Sequence, residues 1–139
     1  TAELICDGIH INPAVIRTTF KVLGADRVVL ISDALPAGGM PDGEYTLGGS
    51  PVVVAGGIAR TPGGALAGST TTVYQCVKNC VSFGIPFETA VKAATANPAK
   101  VIGMQDEIGS ISEGKRADLL VLDEDMNIEM IILGGKKVK

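Results

Sequence analysis

Val28-Val29-Leu30-Ile31-Ser32-Asp33-Ala34-Leu35-Pro36-Ala37-Gly38-Gly39 is the stretch that decides the fold class of this chain. A short apolar run rich in β-branched residues and stopped by turn formers reads as a buried parallel strand. Asp33 then sits at the carboxyl end of that strand. In α/β barrels and open α/β sheets this end carries the chemistry, because the loops leaving it converge on one crevice. The plainer alternative is an aspartate that only caps the Pro/Gly turn behind it.

Working back from that strand, Leu4-Ile5-Cys6 runs into Asp7-Gly8-Ile9-His10 and delivers the only histidine to another strand end. Between the two strands, Asn12 is a good N-cap and Pro13 suits a first helical turn. Val15, Ile16, Phe20 and Leu23 follow a helical stripe that Gly24 closes. Strand, helix and strand over 2–32 make one βαβ unit, whose parallel strands need a crossover helix. Two polar groups at neighbouring strand ends suggest the rim of an active site, although a lone histidine is also common as a structural residue.

Working forward, residues 38–64 are dense in glycine. Tyr45-Thr46-Leu47 and Val52-Val53-Val54-Ala55 are separated by turn signals at Gly48-Gly49 and Gly56-Gly57. Small antiparallel strands inserted after the Asp33 strand are expected there. From Thr70 to Val81 the apolar positions Val73, Cys76, Val77, Cys80 and Val81 predict a helix packed on the core. A second helix is expected over Pro86–Ala96, stopped at Asn97-Pro98, and a short third over Pro98–Ile102. The tail reads as strands over Ala117–Leu122, Ile128–Leu133 and Lys136–Val138.

At 139 residues the chain is long enough to bury a substantial core. Its hydrophobic content of 46%, against 19% charged residues, leaves apolar surface that expects a partner. No apolar run reaches the roughly 18 residues of a membrane span, and no charged-then-apolar leader opens the chain. A net charge of −3 with scattered basic residues gives no footprint for nucleic acid. Three cysteines without framework spacing fit a reducing cytoplasm.

One histidine is too few for a catalytic zinc site built within this chain, which ordinarily takes three protein ligands. Cys76 and Cys80 lie four apart, but both fall on the apolar stripe and read as packing residues, as does Cys6 in its strand. Leu66-Ala67-Gly68-Ser69-Thr70 places a glycine and two hydroxyls before a helix. Spacing alone does not separate an anion cradle from ordinary N-capping by Ser69 or Thr70.

Taken together, five motifs carry a resemblance. Asp7-Gly8-Ile9-His10, Ser32-Asp33-Ala34 with Pro36-Ala37-Gly38, Leu66-Ala67-Gly68-Ser69, Asn97-Pro98-Ala99 and Gly114-Lys115-Arg116-Ala117-Asp118-Leu119 resemble, in order, the N-acetylglucosamine-6-phosphate deacetylase family of the amidohydrolase superfamily. The last two motifs are superfamily-wide, whereas the first three are narrower.

The resemblance implies an α/β fold, the carboxyl-terminal part of a TIM-like barrel plus part of a small β domain. Residues 1–104 would hold the last strands and helices of the barrel, with a β insertion at about 40–64. Residues 105–139 would hold the carboxyl-terminal strands of the β domain. It implies that Asp33 activates the metal-bound water and then protonates the departing amine. Asp7, Gly8, Ile9 and His10, with Leu66, Ala67 and Gly68, would contact a phosphorylated amino sugar. The divalent metal, zinc or similar, is held in that family by a glutamate and two histidines upstream of Asp-Gly-Ile-His, so no metal ligand is expected in this chain. A cytoplasmic location and a homodimeric full-length parent follow from the same resemblance. A full barrel needs roughly 250 residues, so the chain alone is expected to be inactive. A non-catalytic phosphosugar-binding or associating fragment, and an amidohydrolase acting on another amide, are the alternatives.

Overall fold

The structure, a computed structural model, describes residues 1–139. Two compact units divide after Ala94. In the first, β1 (Ala2–Ile5) and β2 (Val28–Ile31) are parallel neighbours joined by helix α1 (Pro13–Leu23). The Asn12 side chain accepts from the Ala14 N–H, Pro13 fills the first turn, and the Gly24 N–H closes the helix onto the Phe20 carbonyl. Ile16 and Phe20 form the buried stripe of α1. Ile16 and Val28 have no exposed surface, and burial of each such side chain contributes about 1.5–3 kcal/mol. All of Val28, Val29 and Leu30 are buried, as a parallel strand covered on both faces requires.

The insertion is a three-stranded antiparallel sheet of β3 (Gly43–Leu47), β4 (Ser50–Ala55) and β5 (Ile58–Arg60), turning at Gly48-Gly49 and Gly56-Gly57. Asp42 caps the second turn, its carboxylate accepting from the Gly56 and Gly57 N–H groups at 2.5 and 3.1 Å. Val52, Val54 and Ala59 turn one face of this sheet onto Leu35, Ala37 and Ala67, with Tyr45 packed at the side. A small apolar core therefore anchors the segments on either side of the insertion.

Helices α2 (Val73–Ser82) and α3 (Phe87–Ala94) complete the first unit, and both pack on β2. α2 starts at Val73, the first residue of its apolar stripe and three residues after the expected Thr70, and neither Ser69 nor Thr70 caps it. Thr72 is the cap, its side chain accepting from the Gln75 N–H. The reason is competition: the Ser69 hydroxyl accepts from the Thr71 N–H at 2.9 Å while its backbone bridges Ala34, and the Thr70 hydroxyl donates to the Gly57 carbonyl.

In the second unit, α4 (Ala96–Val101) takes in Asn97-Pro98 instead of starting after it. Pro98 lies in the first turn, where no intrahelical N–H is needed. β6 (Leu119–Leu122), β7 (Ile128–Leu133) and β8 (Lys136–Lys137) form an antiparallel sheet with an irregularity between Val121 and Leu122. β6 begins two residues later than its apolar pattern suggests, because Asp118 is bent into another task. Its carboxylate accepts from the Gly134 N–H at 2.7 Å and from Arg116 Nε at 2.5 Å, latching the turn between β7 and β8. No helix is long and apolar enough to cross a membrane.

Candidate functional site

The register of the first sheet sets the site. Ile5 pairs with Ile31, so Asp7 and Asp33 each leave the same end of the parallel pair two residues beyond it. Asp33 does so with φ of 48°, a left-handed conformation that aspartate tolerates better than most residues. Its side chain is exposed and has no hydrogen-bond partner in the chain. The carboxylate thus has no internal partner, while the backbone that carries it is held.

Leu66-Ala67-Gly68-Ser69 does the holding. The Ala67 N–H donates to the Ala59 carbonyl at 3.1 Å, and Leu66 bridges Arg60, so the segment extends the small sheet beyond β5. On its other side the Ser69 N–H donates to the Asp33 carbonyl at 2.9 Å, and the Leu35 N–H donates to the Ser69 carbonyl at 3.0 Å. Gly68, at φ of 73°, lies against this seam: a Cβ there would stand 3.2 Å from the Asp33 carbonyl oxygen. Two of the three predicted site segments are therefore one stitched unit.

The third segment, Asp7-Gly8-Ile9-His10, folds on itself. One Asp7 carboxylate oxygen accepts from the Ile9 and His10 N–H groups at 2.9 Å each, and the other faces His10 Nδ1 at 2.7 Å. Burial works against ionisation of Asp7, but the His10 N–H, the imidazole and the Ile9 N–H outweigh it and hold the carboxyl below its ordinary value. Gly8 and Ile9 are exposed and His10 is partly so. Sequence reasoning missed the residue that ties this loop down, Asn79, whose side-chain amide donates to the Cys6 carbonyl at 2.9 Å. Its only signal was a polar residue between Cys76 and Cys80 on an apolar helix face.

Cys6, Cys76 and Cys80 are fully buried and unbridged. A hydrogen bond with Cys80 and burial push the Cys6 thiol up, and burial pushes Cys76 up to about 11. The same Cys6–Cys80 hydrogen bond lowers Cys80 against its burial, so Cys6 and Cys76 are the neutral packing thiols of the cluster. No group of three or more histidine, cysteine, aspartate or glutamate side chains is placed to hold a metal ion, so the residues of this chain do not by themselves fit one.

The sequence pattern of the Amidohydrolase family matches residues 9–138. The chain belongs to the amidohydrolase family. Among its relatives in that family, it is 41% identical to an N-acetylgalactosamine-6-phosphate deacetylase of Escherichia coli O157:H7, over 96% of this chain and 36% of the relative. It is 40% identical to an N-acetylglucosamine-6-phosphate deacetylase of Vibrio furnissii, over 98% of this chain and 34% of the relative. The crystal structure of the N-acetylglucosamine-6-phosphate deacetylase from Thermotoga maritima superposes with a TM-score of 0.91 at 41% identity, covering 99% of this chain and 38% of that one. A mutant of the Mycobacterium smegmatis N-acetyl-D-glucosamine-6-phosphate deacetylase, in complex with N-acetyl-D-glucosamine-6-phosphate, gives 0.92 at 38% identity, covering 99% of this chain and 37% of that one. This amidohydrolase chain thus spans about a third of the length of these relatives.

Proposed function

We propose that this chain is the carboxyl-terminal part of a deacetylase that hydrolyses N-acetylglucosamine 6-phosphate to glucosamine 6-phosphate and acetate. The observation that carries the reading is Asp33: an unpartnered carboxylate at a parallel strand end, its backbone stitched to Ser69 of the Leu66-Ala67-Gly68-Ser69 segment, in a chain matched nearly end to end by deacetylases of that name. Asp33 takes a proton from the water that attacks the acetamide carbonyl. It then hands that proton to the nitrogen as the C–N bond breaks, which is general base followed by general acid catalysis at one group. His10 and Leu66-Gly68 hold the phosphosugar.

Residues 1–104 would be the last strands and helices of the barrel and 105–139 a share of the β domain. The divalent metal would be supplied by residues outside this chain, in a cytoplasmic homodimer. A second reading keeps the chemistry and changes one sugar hydroxyl, since relatives named for N-acetylgalactosamine 6-phosphate match as well.

Acetate release by the full-length parent tests the proposal. N-acetylglucosamine 6-phosphate should be turned over faster than its galactose epimer, and Asp33→Asn should lower kcat about 10²–10⁴-fold with metal content unchanged. Near-normal turnover by Asp33→Asn would overturn it, and a preference for the epimer would favour the second reading.

A further inference from the structure

We propose that Asp7 is a positioning residue: its carboxylate holds the imidazole proton of His10 on Nδ1 and leaves Nε2 as the nitrogen offered to a ligand. The proposal deepens the reading above, in which His10 meets substrate, and rests on it for its functional half.

The local geometry carries the rest. One oxygen of Asp7 is occupied by the Ile9 and His10 N–H groups, so the second, 2.7 Å from Nδ1, is the one available to the ring. An ionised carboxylate only accepts hydrogen bonds, so the proton between Oδ2 and Nδ1 belongs to the ring. A neutral imidazole has one N–H, and Nε2 is then a bare acceptor. Toward a sugar hydroxyl it accepts.

Exposure separates the two roles. The Asp7 side chain retains 3% of its surface and that of His10 19%, so a ligand reaches the ring edge and not the carboxylate. The pair is also fixed in place from behind. Asn79 binds the Cys6 carbonyl at 2.9 Å, and Gly8 lies so close to Phe83 that a Cβ would stand 3.1 Å from the ring tip. Asn79 and Phe83 are one turn apart, on α2 and at its carboxyl-terminal cap, so the helix grips the loop at two points.

The chain has a single histidine, so one imidazole spin system reports directly. Two-bond proton–nitrogen correlation spectra of the ¹⁵N-labelled chain at pH 8 should show the proton on Nδ1. In Asp7→Asn the amide oxygen keeps the backbone N–H groups and its NH₂ faces Nδ1, so the proton should move to Nε2. A wild-type ring protonated mainly on Nε2 overturns the proposal, whatever the variant does. An unchanged tautomer in a folded Asp7→Asn also overturns it.

In the full-length parent, Asp7→Asn should lower kcat/KM about 10-fold or more, chiefly through KM. A loss confined to kcat in proportion to folded enzyme would mark a merely structural residue and overturn the proposed role. A moved proton with unchanged KM would overturn the placement of substrate at His10 and leave the Asp7–His10 relation standing. The two failures are therefore distinguishable.

Discussion

Ser69 donates its backbone N–H to the Asp33 carbonyl at 2.9 Å, across a seam that Leu35 closes from the other side. This one-residue bridge couples the insertion β3-β4-β5 to the strand end that presents Asp33. An apolar core of Leu35, Val52, Val54, Ala59 and Ala67 lies beneath it. In the role proposed for Asp33, a carboxylate that meets both a water and a departing nitrogen has to be held to within fractions of an ångström. The seam supplies that rigidity without touching the carboxylate.

Gly68→Ala should disturb that seam. The new Cβ would meet the Asp33 carbonyl oxygen at 3.2 Å, in a backbone at φ of 73°. Such a left-handed alanine costs about 1–2 kcal/mol. Urea denaturation should show a loss of that size, and turnover of the full-length parent should fall further than stability does, because Asp33 is displaced.

Asp33 itself separates backbone from chemistry. At φ of 48° asparagine is nearly as well tolerated as aspartate, so Asp33→Asn should stay within about 0.5 kcal/mol of wild type. Asp33→Val places a β-branched residue in the same conformation and should cost about 1–3 kcal/mol. Denaturation midpoints of the two variants check this ordering.

Acid should remove the contribution of Asp7. Its carboxyl is lowered from an ordinary 3.8 by the balance of burial against the His10 and Ile9 hydrogen bonds. A lowered folded-state value means that the stabilisation is fully present above the unfolded value and is lost as pH falls through the folded one. The stability gap between wild type and Asp7→Asn should therefore shrink as pH falls below 4. Denaturant titrations above and below that pH decide it.

The thiols should be silent in the folded chain. Cys6, Cys76 and Cys80 are fully buried, and Cys76 is pushed up to about 11. At pH 8 an aromatic disulfide reagent should label none of them within minutes and all three once the chain is unfolded in urea. Rapid labelling of native protein would place a thiol at the surface.

Zinc should leave this chain unchanged. With no cluster of ligating side chains, micromolar zinc should not raise its melting temperature, as tight binding to the folded state would. The chain alone should likewise release no acetate from N-acetylglucosamine 6-phosphate. Metal-dependent release would mean that ligands assemble here unseen.

Local pattern by itself determined the parallel pair, its crossover helix, the glycine-turned insertion and the placing of Asp33 and His10 at strand ends. Those features depend on period, caps and turn formers within a dozen residues of each other, as Asn12-Pro13 and Gly24 illustrate for α1. It also determined kinship, through motifs matched along nearly the whole chain.

Tertiary structure alone decided that Thr70 donates its hydroxyl to the Gly57 carbonyl instead of capping α2, and that Asn79 grips the end of β1. It also decided that Asp118 leaves its strand to latch a turn sixteen residues on. Hydroxyls, amides and carboxylates have several partners of nearly equal strength within their own neighbourhood. Which one wins is set by what the folded backbone carries past them from elsewhere in the chain, and no local spacing encodes that.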